Sequence, residues 1–295
     1  MRGLLVTGGS GQLAQALHAA APDATIVGRP HFDFDRPETI DTIFRQTAAT
    51  LVVNAAAYTA VDAAETNEQA ALRANRDGPA HLARLCAAAA IPLIHISTDY
   101  VFDGNKGAPY IETDPTSPRC AYGRSKLAGE QALLKIHSRA IVLRTSWLYA
   151  ATGKNFVRTM LNAATKTDRL RVVTDQTGCP TSADDLAAAI LAIATRITRD
   201  GWQDPFAGIF HAAGTGGTTW HAFAKAIFAE ATRHGLKPPI VDAITTADWP
   251  TPARRPPDSR LDCTKFFERF ATRLPPWRAS LPRIIDAIFT GRVGG

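Results

Sequence analysis

Apolar runs of four to six residues alternate with longer stretches of helical spacing through the first half of the chain. Gly3-Leu4-Leu5-Val6-Thr7 reads as a buried strand, and the Ala/Leu pattern that continues to about Ala20 reads as a helix. A strand is predicted over Ala24–Val27, a proline-entered helix from about Pro37, and another strand over Leu51–Asn54. The run Ala87 to Ile96 reads as the end of a helix begun at Pro79, followed by a buried strand that ends at Thr98. Strands that are apolar throughout, separated by helices, imply a parallel sheet covered on both faces and joined by right-handed crossovers. Further on, Gly208-Ile209-Phe210-His211 has strand character, while Trp220, Phe223 and Phe228 recur at helical spacing and read as core.

The turns between these elements carry the polar chemistry. The first strand runs into Gly8-Gly9-Ser10-Gly11-Gln12-Leu13-Ala14 at the mouth of a helix. Glycines there let the backbone turn tightly and approach a pyrophosphate, which a helix N-terminus would hold on its free N–H groups. Ala14 stands where a third glycine is usual, a position that only has to be small. The fold class is accordingly α/β: a Rossmann-like doubly wound parallel sheet, with a smaller C-terminal α/β lobe for substrate. At the end of the second strand, where an acid commonly grips a ribose 2′-hydroxyl, stand Gly28 and Arg29. An arginine suits a 2′-phosphate and favours NADPH over NADH, although a solvated loop arginine is an equally ordinary reading. Asp33 and Phe34 are placed to edge and cover an adenine, and Asp35 to cap the next helix. Ala55-Ala56-Ala57, followed by Tyr58-Thr59, leaves room for a flat ligand near the backbone. Asn75 is a candidate to hold a water or backbone group nearby.

A second constellation pairs Ser97-Thr98-Asp99 with Tyr122-Gly123-Arg124-Ser125-Lys126. Should Tyr122 begin a helix, Lys126 lies one turn along the same face. A phenol beside an ammonium is expected to act as an acid/base near neutrality, because the cation favours the phenolate. Thr98, at the carboxyl end of its strand, lies where open α/β sheets bind ligands.

Composition narrows the classes. A formal charge of +6 comes from scattered arginines and lysines with no basic run longer than Arg254-Arg255, which argues against nucleic acid and suits an acidic small ligand. The longest apolar stretches, such as Leu186 to Ala194, are too short to span a membrane. No export signal is evident, so a reducing cytoplasm is expected, and the four well-separated cysteines read as free thiols.

In this order, the glycine-rich start, Asn54-Ala55-Ala56-Ala57-Tyr58-Thr59, Ser97-Thr98-Asp99-Tyr100-Val101-Phe102-Asp103-Gly104 and Tyr122-x-x-x-Lys126 resemble the extended short-chain dehydrogenase/reductase superfamily. Within it, Arg144-Thr145-Ser146-Trp147, Asn155-Phe156-Val157-Arg158, Asp175-Gln176-Thr177-Gly178-Cys179-Pro180-Thr181 and Thr251-Pro252-Ala253 with Arg255-Pro256 resemble the branch that reduces the C4 ketone of dTDP-4-dehydro-6-deoxy-L-mannose. The resemblance implies Tyr122 as proton donor, with Lys126 lowering its pKa and holding the nicotinamide ribose. Thr98 and Asp99 would contact the sugar, and Trp147 would wall its pocket. Gly11, Gln12 and Leu13 would hold the pyrophosphate, with Asp33, Phe34, Ala57, Tyr58 and Thr59 lining the groove and Ile96 beneath it. Asn155, Gln176 and Arg255 are candidate substrate contacts, with loop-stabilising roles as the alternative. Residues 1–149 would bind the dinucleotide, rejoined by about 182–213, and 150–295 would bind the nucleotide sugar, in a homodimer. Magnesium at a subunit interface is known in some relatives, but Gln15 and Ala16 stand where acids would be needed, so no metal is placed. Two other readings stay open. One is a sister dehydratase or epimerase, although Asp99-Tyr100 replaces the Asp-Glu that dehydration uses. The other is a non-catalytic NADP-binding regulatory subunit.

Overall fold

The computed structural model describes residues 1–291. Its central element is a six-stranded sheet. The strands β1 (Leu4–Thr7), β2 (Thr25–Val27), β3 (Leu51–Asn54), β4 (Leu93–Thr98) and β5 (Ala140–Thr145) are joined at the β5 edge by Gly208–His211. The order across the sheet is β2, β1, β3, β4, β5, Gly208–His211, and every pairing is parallel. Chain order reverses at β1, so a crevice opens beyond its carboxyl end, between it and β3. All residues of β1, β3 and β5 are buried, which is why these strands carry unbroken apolar runs rather than alternation.

One face is covered by the helices Gln12–Ala20 and Ala183–Asp200, whose Leu13, Leu17, Leu186 and Ile190 share a core with Leu4, Val53 and Leu143. The other face is covered by Pro37–Gln46, Gly78–Ala88 and Ala121–Ile136, through Ile40, Leu82 and Leu133. A second core gathers Val157, Leu161, Phe223, Phe228, Trp277 and Leu281 around a two-stranded parallel ribbon of Arg169–Val173 and Ile240–Ile244. Phe223 and Phe228 are core, as their spacing suggests. No helix among the described residues is long and apolar enough to cross a membrane.

Two local expectations change. The helix before β4 begins at Gly78, and a π-helical turn, Arg73–Asp77, precedes it. Asp35 does not cap the Pro37 helix: Arg36 occupies that position without a side-chain bond, and Asp35 pairs with Arg73 at 2.7 Å.

Candidate active site

The glycine loop is shaped by contacts that only glycine permits. Gly8 has φ +110°, and a Cβ there would lie 3.0 Å from the Ala55 backbone. Gly9 N–H donates to Val27 O at 2.9 Å and Gly11 N–H to Gly8 O at 2.8 Å, which closes the turn against β2. The helix that follows, Gln12–Ala20, has no side-chain cap, so its first-turn N–H groups are free to meet an anion. The Leu13 side chain is core, leaving its backbone N–H for the loop. Arg29 is exposed at the end of β2 and makes no ion pair among the described residues. The residues present therefore fit a dinucleotide with an additional phosphate near Arg29.

Across the crevice, Asn75 anchors the Ala57-Tyr58-Thr59 segment. Its Oδ1 accepts from Tyr58 N–H at 2.8 Å, and its Nδ2 donates to Tyr58 O at 3.1 Å and to Ser125 Oγ at 2.9 Å. A π-turn places this amide, 0% exposed, between the cofactor loop and the Tyr122 helix. Phe34 packs over Gly78, where a Cβ would fall 2.2 Å from its ring. Asp33 Oδ1 accepts from Asp35 N–H at 3.1 Å, which shapes the loop at that edge of the groove.

Tyr122 is the second residue of the helix Ala121–Ile136, and Lys126 lies one turn on. Cys120 caps the helix through Sγ, accepting from Gly123 N–H at 3.4 Å, and Glu65 accepts from Ala121 N–H at 2.7 Å. The phenol is half-buried, with Tyr100 edge-on at 5.7 Å. Burial raises its pKa well above the usual value, and the adjacent Thr98 hydroxyl pulls it back in part. The expected phenol–ammonium pairing takes a different form. Lys126 Nζ donates to Ile96 O at 2.6 Å and lies 3.3 Å from His95 Nε2, and burial lowers its own pKa to about 8. Desolvation dominates both groups, and the amine is held by β4.

Thr98 stands at the end of β4, where its hydroxyl accepts from Tyr100 N–H at 3.2 Å. Asp99, expected beside the sugar, is set behind Thr98. It is 2% exposed, and its carboxylate accepts from the Thr98, Ser146 and Ser259 hydroxyls, so it aims Thr98 from behind.

Trp147 has φ +47° and its indole lies flat on Trp220, centroids 3.4 Å apart and planes 6° apart. Trp220, read from its spacing as core, thus belongs to an aromatic wall. Asn155 and Gln176 each make contacts within the protein. Asn155 caps the helix Phe156–Ala164 and donates to Gln12 Oε1 at 2.9 Å, while Gln176 donates to Thr246 Oγ1 at 3.0 Å. Both amides are buried. Arg255 pairs with Asp62 at 2.9 Å and lines a cavity of about 330 Å³ together with Arg119, Thr246, Thr251 and Arg254. Three arginines there suit a diphosphate. Ser146, Ser259, Asp62 and His95 escaped sequence reasoning, since each acts through a partner distant in the chain.

A glycine loop facing the reversal point of a parallel sheet, with Thr98, Tyr122 and Lys126 clustered beside it, defines a dinucleotide-binding oxidoreductase of the short-chain dehydrogenase/reductase type. Residues 1–289 match the family described as RmlD substrate binding domain. A dTDP-4-dehydrorhamnose reductase of Sinorhizobium fredii is 47% identical over 97% of both chains, and one of Escherichia coli is 40% identical over 88% of this chain and 86% of that one. A crystal structure of a dTDP-4-dehydrorhamnose reductase from Bacillus anthracis in complex with NADP superposes with a TM-score of 0.87 at 30% identity, covering 97% of this chain and 99% of that one. The corresponding values for the Clostridium acetobutylicum structure of that description are 0.86 and 33%, over 98% and 99%. The chain belongs to the dTDP-4-dehydrorhamnose reductase family.

Proposed function

We propose that the chain reduces the C4 ketone of dTDP-4-dehydro-6-deoxy-L-mannose to give dTDP-L-rhamnose, with NADPH as cofactor and Tyr122 as proton donor. The observation that carries the reading is a phenol kept protonated by burial and placed beside the Thr98 hydroxyl at the sheet's carboxyl edge. When bound, NADPH supplies the hydride. The chain's residues do the rest. Gly8, Gly11 and the N–H groups of Gln12 and Leu13 hold the pyrophosphate, and Arg29 meets the 2′-phosphate. Asp33, Phe34 and the Ala57–Thr59 segment line the adenosine groove, and Lys126 holds the ribose.

Trp147, backed by Trp220, gives the hexose a flat wall, and Arg255 with Arg119 and Arg254 receives the diphosphate. Thr98 turns its single proton from Asp99 to the C4 oxygen as charge develops there, and Tyr122 transfers its proton to that oxygen, leaving a phenolate that solvent reprotonates. The test is NADPH absorbance on adding the keto sugar: stoichiometric loss supports reduction. Stable absorbance together with release or isomerisation of the sugar would indicate a sister activity instead.

A further inference from the structure

A guanidinium carries five N–H donors in a fixed plane, and the protein's own contacts with Arg255 gather at one end of it. Nη1 donates to Asp62 Oδ1 at 3.1 Å, to the Thr251 hydroxyl and to Ala253 O at 3.2 Å, and Nη2 donates to Asp62 Oδ2 at 2.9 Å. These contacts use both Nη1 protons and one of Nη2. Nε–H and the second Nη2 proton have no partner among the described residues. They share one edge of the plane, the edge that meets two phosphoryl oxygens at once. Arg255 lines the cavity that also holds Arg119 and Arg254.

The group that holds the far end comes from a distant part of the chain. Asp62 is the second residue of the short helix Val61–Ala64, just beyond Tyr58-Thr59, and lies 193 residues before Arg255. Its Oδ1 also accepts from Ala253 N–H at 3.1 Å, and Ala253 is buried, so one carboxylate fixes both the backbone and the side chain of this segment.

We propose that Asp62 is a positioning residue, which grips the Nη end of Arg255 and so leaves the Nε–H and Nη2–H edge preset for a phosphoryl group of the nucleotide sugar. The inference rests on the proposed reading in which Arg255 receives the diphosphate. An unheld arginine would surrender its rotamer freedom when the ligand arrives, whereas one fixed in advance has already done so. The carboxylate also repels a phosphate. That repulsion acts across the width of the guanidinium from a part-exposed group, where water screens it, and two further arginines share the cavity. Asp175, the acid that lines the cavity, has its oxygens engaged by the N–H and hydroxyl of Thr246. Positioning is therefore expected to outweigh repulsion.

The test is a double-mutant cycle, with dTDP titrated calorimetrically into the NADPH-loaded protein. Asp62→Ala is expected to weaken dTDP at least about tenfold, the worth of a well-aimed bidentate contact. Asp62→Asn should do the same, because its amide offers one acceptor where the carboxylate offers two. In an Arg255→Ala background the same substitutions should change dTDP affinity less than about twofold, since the group through which Asp62 acts is gone. With the keto sugar, the Asp62 variants should raise KM and hold kcat. NADPH affinity is the check on folding, and should Asp62→Ala fail it, Asp62→Asn decides. Unchanged dTDP binding in these variants would overturn the proposal, and tighter binding would do so by showing that repulsion rules. A loss that persists undiminished without Arg255 would overturn it as well, marking Asp62 as merely structural. If Arg255→Ala left dTDP binding untouched, the diphosphate reading would fall and the proposal with it. A wild type that consumes no NADPH with the keto sugar would instead sink the reductase reading, while the dTDP cycle would still report on Asp62.

Discussion

The Thr98 hydroxyl donates to Asp99 Oδ1 at 3.0 Å, so its single proton is held by a carboxylate that solvent does not reach, and on the proposed reading it turns to the C4 oxygen when the ketone binds. Ser146 and Ser259 complete the carboxylate's shell from two distant segments. Burial nevertheless raises Asp99 from its ordinary 3.8 to about 6. A carboxyl that binds its proton more tightly when folded stabilises the fold at acid pH, and that contribution is lost as the pH rises from the ordinary value through the folded one. Relative to Asp99→Asn, the wild type is expected to lose about 3 kcal/mol of unfolding free energy between about pH 4 and 6, measurable by denaturant titration at several pH values.

Asn75 ties the Tyr58 loop to the Tyr122 helix, and removing it leaves buried donors and acceptors unmet. Asn75→Ala is expected to cost about 1–3 kcal/mol of stability and to weaken NADPH binding, since the cofactor loop loses its anchor. Calorimetric titration checks the binding.

On the proposed reading the cofactor preference turns on Arg29, exposed beyond β2. Arg29→Ala is expected to weaken NADPH by roughly 10–100-fold, the loss of one charge-assisted contact, and to leave NADH affinity nearly unchanged. Equal losses for both cofactors would place the 2′-phosphate elsewhere.

Asp62 and Arg255 link the cofactor loop to the proline-rich segment along the cavity. The arginine holds the Asp62 carboxyl below its ordinary range. Arg255→Ala is expected to raise KM for the nucleotide sugar at least about tenfold with little change in NADPH affinity, because a diphosphate would lose a bidentate partner. Steady-state kinetics at fixed NADPH measure it.

The strands of the sheet were legible because a doubly covered parallel sheet needs unbroken apolar runs, as in Leu4–Thr7 and Leu51–Asn54. The glycine loop and the Tyr122/Lys126 spacing were legible because each is local: a turn, and one helical pitch. What escaped is non-local. That Asp99 is walled in by Ser259, 160 residues away, or that Asn155 reaches Gln12 across 143, depends on packing that no short window contains. Trp220 had the spacing of a core residue, and only the fold shows that it backs Trp147.

The measurement that bears most directly on the account is Tyr122→Phe, which removes one oxygen and leaves the ring in place. NADPH affinity should be retained while kcat falls by roughly 10²–10⁴-fold, the contribution of a positioned proton donor. A variant that binds NADPH and turns over the keto sugar at the wild-type rate would contradict the assignment.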